Sequence, residues 1–476
     1  MRSSASQFSF ADLELQRQGV QLDPTLRAID QFLEEQDALI QRVRQDLERG
    51  LKNPGTGRNG LTPSQVLRSL VLMRVKNWDY RELRERIQDG YTLRSFTDFD
   101  AHPVPQHDAF NRAFLRLTPE TVRDINRRVI QAAVELGLED GKALRVDTTV
   151  VETNIHYPTD ATLLWDCVRT ITRLIGDLHE TLPAGVQGFT NRTRSARRRM
   201  QEIQRMSASQ RHTQQEPKYR ELLRITQQVV ENARLVLARL QKARTRRSFP
   251  LTDGLVVDQL CAEIAGYCDL AGRVIDQTRR RVIEGEQVPS EEKVYSIFES
   301  HTDLIKRGKA QKPVEFGHKV FLAESRHGLI TDYQVLDGNP SDTLQVQPSL
   351  ERHREIFPNP AELYAGDRGF FSAENEESCK QAGVVNVSIP QRGGTKTAER
   401  QALERSPAFK KGQRFRVGIE GRISVLFRGR GMKRCLAHGS ERFEILVGAA
   451  VLANNLLKIG DFLKNRKPSA PLRAAA

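Results

Sequence analysis

Cysteine is scarce in this chain of 476 residues, and its five copies, Cys167, Cys261, Cys268, Cys379 and Cys435, are scattered. None forms a C-x-x-C pair or stands at metal-ligand spacing from histidine, which argues against a zinc site and against a disulfide framework. They read as reduced thiols, so a cytoplasmic location is expected. No apolar run in the linear sequence approaches the roughly 18 residues of a membrane span, and MRSSASQFSF lacks the apolar centre of a signal peptide. No internal repeat is evident. What is abundant is positive charge: 74 Lys and Arg against 60 Asp and Glu give a net +14, which points to a polyanionic partner, nucleic acid ahead of an anionic membrane.

The first 140 residues read as mostly helical. Residues 24–52 carry apolar side chains at helical intervals among charges of both signs, predicting one amphipathic helix. Thr62-Pro63 is an N-cap followed by a proline suited to the first turn, and Thr118-Pro119-Glu120 opens another helix running to about Leu136. Shorter helices are expected from near Asp79 and near His107. Such a set fits either a helix-turn-helix DNA reader or a helical docking module.

In LRVDTTVVET, residues 144–153, Val146, Thr148 and Val150 fall on one face and Asp147, Thr149 and Val151 on the other. Aspartate is depleted in strands because it resists desolvation, so Asp147 calls for a partner: a cation, a capped turn or a metal. Residues 159–284 return to helix, with Asp160 taken as an N-cap and Leu222, Ile225, Val229, Ala233, Val236 and Leu240 at near-heptad spacing. The basic segment NRTRSARRRMQEIQR reads as lying at or near a helix turn.

From Glu315 the period becomes two. HKVFLAES and LITDYQVL predict consecutive strands, followed by a helix opened by Ser341 or Asp342. AELYAGDRGF predicts a strand stopping at Gly366-Asp367; then come a helix at about 373–382, the strand VVNVSIP, a basic segment with Glu420 on a helix, and the apolar helix EILVGAAVLANNLLKIG. The Pro- and Ala-rich tail is expected to be disordered. His318, Asp332, Asp337, Asn339 and Asp342 are polar candidates near the sheet edge, the last three explained well enough by turns.

This order matches an RNase H-like fold, in which the first and fourth strands are neighbours and a flanking helix can bring in a third carboxylate. Clustered Asp147, Asp367 and Glu420 would raise one another's pKa unless a divalent cation held them ionised. Oxygen-only ligation favours two Mg²⁺ or Mn²⁺ ions and in-line phosphoryl transfer. Between Arg392 and Arg434, 13 Lys or Arg stand against three Glu, a composition suited to a phosphate backbone.

VDTTVVETNIHYPTDATLL, SIFESHTDLIKRGK, VEFGHKVFLAE, YAGDRGF and RVGIEGRISVLFRGRG, in this order, resemble the DDE transposases of bacterial insertion sequences, most closely the ISNCY type. The resemblance spans Leu61 to Ile459. It implies a catalytic and metal-binding triad of Asp147, Asp367 and Glu420, metal-dependent strand cleavage and transfer, and recognition of inverted terminal repeats on double-stranded DNA. A Y-x2-R-x3-E-x6-K signature is met in part: Arg416 stands at the arginine, Gln413 replaces the tyrosine, and Phe427 replaces the lysine with Arg428 next to it. Arg416, Arg422, Arg428, Lys433 and Arg434 are the expected DNA contacts.

The expected architecture is α/β: a helical N-terminal DNA-binding region (1–140), the first core strand (141–157), a helical insertion (158–312), the rest of an RNase H-like catalytic core (313–460) and a tail (461–476). A homodimer or larger assembly is expected on DNA, without membrane association. Two rival readings are a nuclease of the same fold that does not transfer strands, and a non-catalytic DNA-binding protein.

Overall fold

The computed structural model describes residues 17, 19–53, 60–244, 251–306 and 313–465. The C-terminal tail expected to be disordered lies outside them from residue 466 onward. The chain divides into two compact units, residues 1–152 with 318–476, and residues 153–317. The fold is mixed α/β with a mixed sheet.

The amphipathic stretch from residue 24 forms two helices rather than one: α1 (Pro24–Glu34) and α2 (Asp37–Glu48). Glu34, Glu35 and Asp37 crowd the break, where acidic charge opposes the negative end of α1 and suits the positive start of α2. Helix α3 (Pro63–Lys76) opens on Thr62, whose side chain caps Gln65 N while Gln65 caps back, a complete capping box. Then follow α4 (Tyr80–Asp89), α5 (Tyr91–Phe96), α6 (His107–Phe114) and α7 (Pro119–Glu135), the last capped by Thr118. Helix α3 is buried along nearly its whole length, so it serves the core and is no exposed recognition helix.

Strand β1 (Ala143–Thr153) leads into the second unit. There α8 (Asp160–Thr181), α9 (Thr193–Arg205), α10 (Ala208–Arg244) and α11 (Leu251–Thr278) form a helical bundle whose core includes Leu164, Ile171, Val229, Ala233 and Ile264. The cap of α8 is Thr159, in a capping box with Thr162. Asp160, expected as the cap, is instead buried and paired at 2.5 Å with Arg281. The basic segment is itself helix α9, presenting Arg194, Arg197 and Arg198 to solvent while Arg199 is held by Glu202 and by Glu221 at 2.6 Å. Strand β2 (Asp303–Lys306) pairs antiparallel with the first residues of β3 (Val314–Ser325).

In the first unit, β3 continues beside β4 (Ile330–Leu336), antiparallel, with a register shift at Ala323/Glu324. Helix α12 (Val346–Ile356) follows a 3₁₀ turn capped by Ser341. Next come β5 (Leu363–Ala365), α13 (Ala373–Gln381), β6 (Asn386–Ser388), α14 (Ala398–Arg405), α15 (Pro407–Gly429), β7 (Arg434–Cys435) and α16 (Ser440–Asn465). The sheet runs β3-β1-β5-β6; β1 is parallel to β5 and β5 parallel to β6. The first strand therefore lies directly beside the strand that precedes Asp367.

Both sheet faces are covered. Leu144, Val146, Phe321 and Tyr364 pack with Val346 and Leu350 of α12 on one face. Val151, Val320 and Leu322 pack with Ile419 and Leu426 of α15 and Val447 and Val451 of α16 on the other. Helix α16 also joins Leu26, Ile29, Val122 and Ile125 in a third cluster. By length and composition α16 is apolar enough to cross a membrane, contrary to the reading of the linear sequence. Most of its apolar length is buried inside the protein, as in a core helix. It also runs to Asn465, beyond the boundary expected at residue 460.

His353 of α12 is buried and stacks on Phe357 at 4.5 Å, and burial lowers its pKa from 6.5 to about 4. A depressed folded-state pKa means stability is fully present above the unfolded value and falls as pH drops from about 6.5 toward 4, by up to about 3 kcal/mol. We expect His353→Leu to shrink the loss of unfolding temperature between pH 7.5 and pH 5. An unchanged loss would contradict this account of the histidine.

Candidate active site

The alternation of β1 directs Leu144 and Val146 to the α12 face and leaves Arg145 and Asp147 on the α15 face. Asp147 is anchored by Thr148 N, which donates to its Oδ1 at 2.8 Å. Asp367 follows the last residues of β5 and caps a 3₁₀ turn, its Oδ1 accepting from Gly369 N at 2.7 Å. These two hydrogen bonds fix both carboxylates and leave each Oδ2 for other partners. Glu420 stands on α15 with a side chain 64% exposed.

All three acids gather around one cation. The Arg416 guanidinium lies 3.1 Å from Asp147 Oδ2, 4.0 Å from Asp367 Oδ2 and 3.4 Å from Glu420 Oε1. Their oxygens are less tightly drawn together than the ligand atoms of Glu139, Asp140 and His327, two carboxylate oxygens and a ring nitrogen that all lie within 4.8 Å of one another. A fourth acid adjoins them: a side chain at Gly369 would meet Asp342 Oδ2 and Asp367 Oδ1, each at 2.9 Å. Gly369 is thus a glycine that close approach requires. Asp342, which turn formation seemed to explain, takes Lys319 Nζ at 2.7 Å and Thr148 Oγ1 at 2.9 Å.

Helix α15 is placed by contacts one turn either side of Arg416. Gly412 meets Ser388 so closely that a Cβ there would lie 2.5 Å from the serine's. Gln413, standing where the signature has tyrosine, donates to Ser388 O at 2.6 Å and Gly366 O at 3.2 Å, tying the helix to the end of β5 and to β6. Farther along, Glu324 is wholly buried and accepts from Arg145 at 2.8 Å and Arg422 at 2.7 Å. Arg145 also donates to Phe415 O at 2.9 Å, and Arg422 to Asn454 Oδ1 at 3.1 Å. This network ties β1, β3, α15 and α16 together. Alternation along β3 places Glu324 in it, on the same face as Val320 and Leu322.

The expected DNA contacts therefore separate. Arg416 faces the acids, and Arg422 is committed to Glu324, so the phosphate role expected of Arg422 does not fit its position. Arg428 is exposed and donates to Ser424 Oγ; Lys433 is exposed; Arg434 is exposed but pairs with Glu152 at 2.8 Å. Glu444, nearby on α16, pairs with Arg123 at 2.8 Å. Asp332 pairs with Arg352 at 2.7 Å, and His318 packs edge-on to Phe443 at 4.8 Å. Sequence reading missed Glu324, Arg145 and Lys319; the available signal was charge within strands otherwise built of β-formers.

Residues 16–116 match the family model described as Transposase domain (DUF772). That stretch comprises helices α1 to α6 and ends before β1, so the carboxylates lie outside it. The match supports a transposase family. No curated protein and no solved structure matches the chain.

Removing one partner of a buried ion pair leaves uncompensated charge and costs about 3 to 5 kcal/mol. Glu324→Ala orphans two guanidinium groups and is expected to destabilise the first unit by at least about 3 kcal/mol. Denaturant unfolding followed by a probe in α15 checks this; a change under about 1 kcal/mol would mean the network does not hold the helix.

Proposed function

We propose that the protein is a DDE transposase whose sheet and flanking helices form an RNase H-like core, acting on double-stranded DNA at inverted terminal repeats. The observation that carries this reading is the meeting of Asp147, Asp367 and Glu420, from two neighbouring parallel strands and a helix, around one positive charge. The transposase-domain match in the N-terminal helices supports it independently.

The donor set fits Mg²⁺ or Mn²⁺. It consists of carboxylate oxygens alone, the hard ligands these ions prefer, and already faces a shared cation within 4.0 Å. Asp147 and Asp367 are fixed by backbone hydrogen bonds, whereas exposed Glu420 has the rotamer freedom to close on an ion. Two such ions supply activation of a water or 3′-hydroxyl and stabilisation of the leaving oxygen. The chain's own contribution is positional: Thr148 N and Gly369 N orient the two aspartates, and Gln413 with the Arg145–Glu324–Arg422 network sets the height of α15 against them. Arg428, Lys433 and Arg434 lie on or after the C-terminal turns of α15, exposed, where a phosphate backbone can be engaged. We place the protein in the cytoplasm, working as a dimer or larger assembly because transposition joins two ends.

The test supplies a labelled terminal-repeat duplex, a target plasmid and Mg²⁺ or Mn²⁺. Nicked and joined products are expected from the native protein; cleavage without joining would indicate a nuclease instead. Asp147→Ala, Asp367→Ala and Glu420→Ala should each cost more than the roughly 10- to 100-fold lost when a group supporting a metal ligand is removed. Native rates from well-folded Asp147→Ala would overturn the assignment.

A further inference from the structure

Arg416 is held differently from Arg145 and Arg422, its neighbours on the same side of the sheet. Arg145 and Arg422 close on Glu324 at 2.8 and 2.7 Å, the range of strong charge-assisted hydrogen bonds. Arg416 instead spreads three single, longer contacts of 3.1, 3.4 and 4.0 Å over three acids, none of them bidentate. Its Nε is buried with no hydrogen-bond partner. The side chain is only 16% exposed, so this arrangement is set by the surrounding acids and not by solvent. A guanidinium held in this way is retained by the summed field of the carboxylates more than by any one bond, and it uses the same oxygens that a divalent cation would.

We propose that Arg416 is a built-in counter-ion that competes with the divalent cation for Asp147, Asp367 and Glu420, so that loading the site requires the guanidinium to withdraw. This rests on the reading of the three acids as a cation site. Two consequences follow from charge alone. Without the guanidinium the acids repel one another, and the cation-free protein loses stability. With it, an incoming cation meets both a rival for its ligands and a like charge a few ångströms away, and binds more weakly than the acids alone would allow. Arg416 differs in this from a merely structural arginine, whose removal would loosen the acids and weaken cation binding.

The experiment titrates Mn²⁺ alone, without DNA, into the full chain by calorimetry, comparing the native protein with Arg416→Gln and with Asp147→Asn as the marker of this site. Thermal unfolding in EDTA and in Mn²⁺ accompanies it. Arg416→Gln is expected to bind Mn²⁺ at the Asp147-dependent site at least about tenfold more tightly. It should also melt at a lower temperature in EDTA and gain more from added Mn²⁺ than the native protein does. Arg416→Lys keeps the charge on a head that cannot span three acids; it should also bind more tightly than native, by a smaller factor, and it decides the matter if the glutamine variant does not fold. Binding unchanged or weakened in the folded variant overturns the inference and leaves the cation site standing. Absence of Asp147-dependent binding in the native protein and the variants overturns both.

Discussion

Three carboxylates cannot be folded into one place without positive charge among them, and this constraint organises the first unit. Each aspartate is brought in by backbone: Asp147 by the alternation of β1, Asp367 by the end of β5 beside it. Both are held by neighbouring N–H groups, so neither can turn away to relieve repulsion. The compensating charge must come from the helix laid across them, and Arg416 supplies it from one turn before Glu420. The close seat of Gly412 on Ser388, the amide of Gln413 and the buried Glu324 between two arginines are the means by which α15 is kept at the distance this requires. A helix riding an ångström higher would leave the aspartates facing one another uncompensated.

The same economy of placement explains α16. Its small and apolar residues allow it to run through the middle of the unit, touching the N-terminal helices along one side and the sheet layer along another. Gly448 faces Tyr333 and Val122 so closely that a Cβ would collide with the tyrosine oxygen. Buried Asn455 exchanges hydrogen bonds of 2.8 and 2.9 Å with the backbone of Ile330, satisfying the start of β4, and Asn454 receives Arg422. The helical N-terminal region and the sheet thus share one central helix. Residues 1–152 and 318–476 accordingly form one unit.

Much of this was legible in the sequence because local physics was consistent with the fold. The caps at Thr62 and Thr118, the strand periods after Glu315, and the cost of aspartate among β-formers at Asp147 all pointed where the structure goes. The meeting of positions 147, 367 and 420 could be read from strand order, since adjacency of the first and fourth strands follows from topology and not from local propensity. Partner choice was not legible. Arg422 and Arg416 are six residues apart on one basic helix, and it is the buried Glu324 of a distant strand that makes one structural while the other faces the acids. Asp342 looked like a turn residue and is one, yet the turn ends beside Asp367. Asp160 looked like a cap, but its neighbour Thr159 takes that role while Arg281, 121 positions away, claims the carboxylate. Charge pairing of this kind is long-range and leaves no periodic trace.

The central claim, that these acids form a site for a divalent cation, is most directly tested by anomalous scattering from crystals of the full chain soaked in Mn²⁺. The account predicts the strongest manganese peak between the carboxylates of Asp147 and Asp367, within coordinating reach of both. A peak only at Glu139, Asp140 and His327, or none near the aspartates, would contradict it.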